Sequence, residues 1–146
     1  MSAAVLETGA ELAPKTYPIT RASLVRYAGA SGDFNPIHWS DRVATAVGLP
    51  GVIAHGMFTM ALVARAVAEW TDGAEVVDLG AKFTNPVVVP DDDTGTEVTI
   101  SGTVKSVADG LATIQLTVVS TGSGPLRSDP GEPQKVLGMP KVSVRV

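Results

Sequence analysis

Hydrophobic positions follow a helical period in one long stretch near the middle of the chain. From about residue 54 to residue 70, beyond His55, only Thr59, Arg65 and Glu69 are polar. Apolar side chains recur there at i, i+3, i+4 and i+7 spacing, at Met57, Met60, Ala61, Ala64, Val67 and Ala68. A helix that is apolar on nearly every side is expected to be buried. At about 1.5 Å per residue it would be roughly 25 Å long, enough to form the axis of a domain.

The second half of the chain is rich in Val, Thr and Ile, and in places it alternates strictly between apolar and polar positions. This pattern predicts four strands in hairpin succession, at 75–84, 96–107, 111–121 and 136–146. Asp109-Gly110 is a hairpin turn signal between two of them. A short strand at 15–20 precedes the helices, and Pro18 is expected to keep it at a sheet edge.

Two shorter helices are predicted between the first strand and the long helix. Thr20 is an N-cap for the first, which the glycines at 29–32 end, and Ser40 or Asp41 caps the second, which ends at Gly48. The physical solution is a single α+β domain over residues 1–146, with an antiparallel sheet curled around the long helix. Residues 1–13 are predicted to be a loose leader and residues 122–134 a mobile loop. The open sheet edges predict pairing with a second copy or a sister subunit.

Composition removes several classes of function. The net charge is -4 and the 11 basic residues are scattered, which argues against nucleic-acid binding. Cysteine is absent, so disulfides, thiolate nucleophiles and cysteine zinc sites are excluded, and two histidines make a dedicated metal site unexpected. No nucleotide-binding motif is present, so no cofactor is predicted. The absence of a signal peptide and of an unbroken apolar span predicts a cytoplasmic protein without a membrane span.

Candidate chemistry begins in the run Gly32-Asp33-Phe34-Asn35-Pro36-Ile37-His38. Pro36 fixes its own φ and restricts Asn35, so the loop is stiff and can present Asp33 and His38 toward one point. Such a pair can hold a water and move its proton. The alternative is that Asp33 caps a turn and His38 is an ordinary core histidine, and the spacing alone favours this alternative.

The second histidine stands at the head of the long helix, in Ala54-His55-Gly56-Met57. The first N–H groups of a helix lack internal partners, so the Gly56 N–H can stabilise an oxyanion such as a thioester enolate. The alternative is that Gly56 allows close packing and His55 caps the helix. Together with the Asp33–His38 pair, this arrangement favours chemistry beside an acyl carbonyl.

Two motifs carry a family resemblance, the run from Tyr27 to His38 and the run from Ile53 to Met57. They resemble the hydratase motif of the MaoC-like (R)-specific enoyl hydratase/dehydratase family, which implies a hot-dog fold, a sheet wrapped around a central helix. More narrowly, they are similar to the HadB subunits of actinobacterial (3R)-hydroxyacyl-ACP dehydratases. The resemblance covers about residues 13–121 and the last strand.

The resemblance implies a site. Asp33 and His38 match the family's catalytic pair, Gly56 matches the backbone oxyanion donor, and Asn35 and His55 match supporting positions. The implied reaction is the reversible syn addition or removal of water at C2–C3 of an acyl thioester, without a cofactor. Ala64 stands where some homodimeric members carry a serine near the pair.

Partners are implied in the same way. HadB-like subunits pair with a non-catalytic HadA-like sister that holds the acyl chain, and their substrate is a (3R)-hydroxyacyl chain on acyl carrier protein in fatty-acid or mycolic-acid elongation. One alternative is a homodimeric (R)-specific enoyl-CoA hydratase. An alternative of another class is a non-catalytic hot-dog subunit that binds acyl chains.

Overall fold

One long helix lies against the inner face of an antiparallel sheet. The computed structural model describes residues 3–120 and 133–146. In chain order the elements are β1 (Glu11–Ile19), α1 (Arg21–Ser31), a 3-10 turn (Pro36–His38), α2 (Asp41–Ala46), α3 (Gly56–Thr71), β2 (Val76–Phe83), β3 (Thr96–Ala108), β4 (Leu111–Ser120), β5 (Gln134–Lys135) and β6 (Leu137–Arg145). The predicted α+β architecture is confirmed.

The core lies between α3 and the inward-facing positions of the strands. Alternate residues of β3 and β4 are buried, as the period of two requires, and so is the inner side of α3: Leu62, Val63, Ala66, Val67 and Trp70. The Trp70 indole N–H donates to the Ala13 carbonyl at 2.8 Å, which fixes the end of α3 to β1. The core therefore fixes the axial position of α3 relative to the sheet.

Several local predictions agree with the structure. Thr20 caps α1 through a capping box, and Gly32 ends it in the left-handed region with φ 79°. Ser40 caps α2, and Gly48 follows its end with φ 92°. Asp109 and Gly110, both at positive φ, form the turn between β3 and β4.

The predicted hairpin succession is wrong at β2. The sheet order is β1-β3-β4-β6-β2, so β2 pairs with β6 rather than with β3, and β5 adds to β4. After β2 the chain leaves the sheet, and Val87 and Val89 are buried. The backbone of these two valines bonds to that of Ala54 and Val52. Those contacts carry the chain across the domain before β3 begins.

The prediction that residues 1–13 form a loose leader is also wrong for the part of that stretch that the structure describes. β1 begins at Glu11, and Leu12 is buried. Further upstream, the Ala4 N–H donates to the Trp70 carbonyl at 2.6 Å and the Gly9 N–H donates to the Val104 carbonyl at 2.8 Å. β1 does lie at a sheet edge, as Pro18 predicts. Most of the predicted 122–134 loop lies outside the described residues, although its end, Gln134, is in β5 and pairs with β4.

The long helix is not buried on every side. Of the face defined by its i, i+3, i+4, i+7 repeat, only Val67 is buried, whereas Met57 is 61% exposed and Ala61 and Ala68 are exposed. The opposite face packs into the core because the inward strand residues meet it there. One chain therefore leaves an apolar side of α3 uncovered. No helix among residues 3–120 and 133–146 is long and apolar enough to cross a membrane, and the cytoplasmic location stays a prediction.

Candidate active site

A stiff turn after α1 presents the first site residue. The Asp33 Oδ1 accepts the Asn35 N–H at 3.1 Å, and the Asn35 Oδ1 accepts the Ile37 N–H at 3.2 Å. Asn35 thereby caps the 3-10 turn that Pro36 opens. The Asp33 side chain remains about half exposed. The alternative role predicted for Asp33, capping a turn, is thus present. This role uses only Oδ1 and leaves the second carboxylate oxygen available.

His38 is buried with a defined tautomer. Its Nδ1 lies 2.7 Å from the Ile53 carbonyl oxygen, which can only accept, so Nδ1 carries the proton and Nε2 presents a lone pair. That Nε2 is 3.9 Å from the Asp33 Oδ2. The separation is too long for a direct hydrogen bond, but one water can lie within about 2.8 Å of both atoms.

The start of α3 forms the opposite side of the site. Gly56 is its first residue, so its N–H has no acceptor within the helix and lies at the positive end of the helix dipole. Space above it is limited, because a Cβ at this position would lie 2.8 Å from the Phe83 Cε1. The glycine therefore lets the aromatic ring approach the helix terminus.

The pair and the helix terminus face one cavity of about 470 Å³. Its other walls are mainly apolar and come from the ends of β2 and β6 and the segment between β2 and β3, namely Phe83, Thr84, Asn85, Pro86, Val136 and Leu137. An Asp–His pair, a backbone N–H and an apolar wall thus share one space, as binding a ligand with a polar head and an apolar tail requires.

His55 also lines this cavity, although it is only 1% exposed. Its ring stacks on the His38 ring with centroids 3.8 Å apart and planes 22° apart, and Tyr27 packs edge-on against it at 4.7 Å. The Nε2 lies 3.1 Å from the Asp33 carbonyl oxygen, so Nε2 carries the proton. Although His55 occupies the N-cap position of α3, its side chain makes no capping hydrogen bond. The cap expected as its alternative role is therefore absent.

Asp33, His38 and His55 place one carboxylate and two imidazoles within 4.8 Å of one another, which raises the question of a metal. Two of the four ring nitrogens already bond to backbone carbonyls. A metal lies close to the plane of each imidazole it binds, but planes 3.8 Å apart and inclined by 22° meet only far from both rings. The donor set therefore does not fit a shared ion.

An ion pair fixes the chain segment that leads into α3. The Arg21 Nη2 donates to both carboxylate oxygens of Asp41 at 2.9 Å, and the Asp41 Oδ1 also accepts the Val52 N–H at 2.9 Å. The hydrogen bond from Arg21 is the main cause that lowers the pKa of Asp41. The Arg21 Nε donates to the Val89 carbonyl at 2.7 Å. The entrance to α3 is thereby connected to α1, α2 and the segment before β3.

The fold and this cavity define a hot-dog domain with a polar pair beside a helix N-terminus. Residues 5–122 match the family model described as MaoC like domain, so the chain belongs to the MaoC-like domain family. The 3-hydroxyacyl-thioester dehydratase X of Mycobacterium tuberculosis is 37% identical over 106 residues, which are 66% of this chain and 37% of that protein.

Solved structures agree on the fold. A structure named MaoC-like dehydratase has a TM-score of 0.82 and 33% identity, and it matches 95% of this chain and 40% of that chain. The (R)-hydratase from A. caviae involved in PHA biosynthesis has a TM-score of 0.78 and 22% identity, over 97% of each chain. The expected hot-dog fold is confirmed. The chain spans 37% of the length of the mycobacterial dehydratase and 40% of the length of the chain named MaoC-like dehydratase.

All five site residues predicted from the sequence lie in one region. Asp33, His38, His55 and Gly56 line the cavity, and Asn35 holds the turn beside it. The sequence interpretation missed Phe83 and the wall from β6, which come from distant parts of the chain. It also missed the stacking of the two histidines. Apolar residues at strand ends give no local signal that they face a site rather than the core.

The buried state of His55 predicts a pH-dependent stability. Burial is the main cause that lowers its pKa below the ordinary imidazole value of 6.5. The carbonyl and carboxylate of Asp33 oppose this shift, and a protonated His38 would lower the pKa further. Below about pH 6.5 His55 binds a proton in the unfolded chain more readily than in the folded chain. The free energy of unfolding therefore falls as the pH drops. Above that pH the contribution is constant.

We therefore expect the melting temperature to fall between about pH 7.5 and about pH 5.5, measured by circular dichroism. The matched variant is His55→Phe, which keeps a buried ring of similar size without the titrating group. It should show a smaller fall over the same interval. An equal fall in both proteins would contradict the assignment of this pH dependence to His55.

Proposed function

We propose that this domain catalyses the reversible addition and removal of water across C2 and C3 of trans-2-enoyl and (3R)-hydroxyacyl thioesters. The observation that carries the proposal is the 3.9 Å separation of the Asp33 Oδ2 and the His38 Nε2 in the cavity that Gly56 also lines. The 37% identical relative is named a 3-hydroxyacyl-thioester dehydratase, and this name supports the same chemistry. The reaction makes the chain a hydro-lyase that needs no cofactor.

In the proposed reaction each of these groups has a part. In the hydration direction a water held between Asp33 and His38 attacks C3 while the pair takes its proton. The π electrons of the C2–C3 bond move toward the carbonyl, and the resulting enolate oxygen accepts the Gly56 N–H. The enolate then collapses and C2 receives a proton from the pair. Both additions occur on one face because both groups lie on one side of the cavity.

The first test removes each member of the pair. We expect Asp33→Asn and His38→Ala each to lower kcat for crotonyl-CoA hydration by on the order of 10² to 10⁴, since each removes a proton acceptor or donor. Asp93→Asn, in the exposed loop before β3, is the matched control and should keep the wild-type rate. Circular dichroism should show an unchanged fold. Wild-type turnover by either site variant would overturn the proposal.

The second test isolates the Gly56 N–H. In a Phe83→Ala background, which removes the ring that a new Cβ would strike, Gly56→Ala retains the N–H and Gly56→Pro removes it. Proline is compatible with the first position of a helix, and the φ -59° and ψ 133° of His55 suit a residue before proline. We expect kcat of the proline variant to be on the order of 10² below that of the alanine variant. Equal rates would show that this N–H does not act on the reacting oxygen.

The exposed apolar surface supports a partner subunit. Met57, Ala61 and Ala68 lie uncovered on α3. β2 is an edge strand with Val76 38% and Val77 46% exposed. We propose that a sister hot-dog subunit of the HadA kind covers this surface and completes the acyl-binding tunnel, with an acyl carrier protein thioester as substrate. A second copy of this chain acting as an (R)-specific enoyl-CoA hydratase is the alternative.

Crotonyl-CoA hydration by the purified chain separates these assemblies. We expect slow turnover by the chain alone and a rise when the sister subunit that co-purifies with it from the native host is added. Full turnover by a homodimer of this chain would favour the alternative. Acyl binding without turnover in every assembly would instead identify a non-catalytic subunit. In all cases sedimentation analysis defines the assembly that is assayed.

A further inference from the structure

One buried residue contacts both members of the proposed catalytic pair. His55 stacks face to face on the His38 ring and donates from its Nε2 to the Asp33 backbone carbonyl. It also directly precedes Gly56, and its own carbonyl accepts the Phe58 N–H at 3.0 Å in the first turn of α3. A single side chain thus links the Asp33 turn, the 3-10 turn and the helix terminus.

We propose that His55 is a positioning residue that fixes the orientation of the His38 ring and the place of the Asp33 carboxylate relative to each other. The inference rests on the proposed function, because it concerns the same pair. His55 itself is not required to exchange protons with the substrate. Its effect on the reaction is transmitted through the two residues that it contacts.

The hydrogen bond to Ile53 orients His38 only within the tolerance of its length and angle. Small changes of the two side-chain dihedrals still let the ring tilt and shift Nε2. A second ring stacked at 3.8 Å limits this tilt, because it would drive the edge of His38 into His55. The position of Nε2 in the cavity is therefore fixed by two contacts on different sides of the ring.

Asp33 is held both through its backbone carbonyl and through one carboxylate oxygen. Its carbonyl accepts the His55 N–H at 3.1 Å, while its Oδ1 accepts the Asn35 N–H. The Oδ2 therefore belongs to a residue that two hydrogen bonds hold in place. Since the same imidazole holds His38, the distance between the two catalytic groups is set by one rigid body.

This arrangement requires a neutral His55. A protonated ring stacked on His38 would repel the imidazolium that forms when His38 takes a proton. The groups that face His55 are His38 and Asp33 from the turns and Tyr27 from α1. The Nδ1 of His55 is buried and has no partner among the described residues. Because no acceptor in that part of the chain lies beside Nδ1, this atom has no reason to carry a proton. The ring therefore keeps one proton, on Nε2.

Three substitutions separate the contacts. His55→Leu removes both, His55→Gln restores a donor at the position of Nε2, and His55→Phe restores a flat ring. Phe58→Leu is the matched control, because Phe58 packs on Tyr27 from another side and does not line the cavity. The assay is crotonyl-CoA hydration by the assembly that carries the wild-type activity, with the folded fraction measured by circular dichroism.

We expect His55→Leu to lower kcat by on the order of 10² with KM within about threefold, because a displaced acid–base pair slows chemistry more than it weakens substrate binding. The glutamine and phenylalanine variants should each recover part of that loss. Phe58→Leu should lose stability but keep its kcat per folded molecule. Wild-type kcat in a folded His55→Leu protein would overturn the inference.

Equal kcat losses in His55→Leu and Phe58→Leu would also overturn it, since both would then reflect general packing. These results are distinct from failure of the proposed function. A wild-type chain that hydrates no enoyl thioester in any assembly would overturn the function, and the inference with it. An active wild type with unaffected His55 variants would overturn the inference alone.

Discussion

The hydrogen bond between the His38 Nδ1 and the Ile53 carbonyl, at 2.7 Å, is the contact on which the arrangement of the site depends. It assigns the ring proton and so directs the Nε2 lone pair toward Asp33. The bond exists because residues 52–54 run between two other segments. On one side the Ile53 N–H donates to the Ile37 carbonyl, and on the other the Ala54 N–H donates to the Val87 carbonyl. Displacing this short segment would move the pair and the start of α3 together.

The polar side chains of the site differ in how far they are buried. The carboxylate of Asp33 is half exposed and reaches solvent, whereas His38 and His55 line the cavity but are otherwise buried. Burial is also the main cause that lowers the pKa of His55, so that ring favours its neutral form. In the proposed reaction, a proton taken from water meets one accessible ring nitrogen in the cavity, the Nε2 of His38.

Local sequence signals predicted local structure well. Thr20, Gly32 and Ser40 cap their helices because side-chain oxygens and glycine satisfy helix ends through neighbouring atoms alone. The pairing of β2 with β6 was predicted wrongly, because turn signals do not show when a long connection leaves the sheet. The exposed face of α3 was also predicted wrongly. The apolar pattern of a helix face is the same whether that face packs into the protein's own core or stays exposed, as Met57 does.

The sequence by itself determined which candidate groups for chemistry the chain carries and their local setting. Asp33, His38 and Gly56 stand in a stiff turn and at a helix start, and these local properties do not depend on the rest of the fold. Only the tertiary structure decided that the two segments meet, that His55 stacks on His38 and that Phe83 lies over Gly56. These contacts join residues that are distant in the chain. They follow from the packing of α3 against the sheet, which no local pattern specifies.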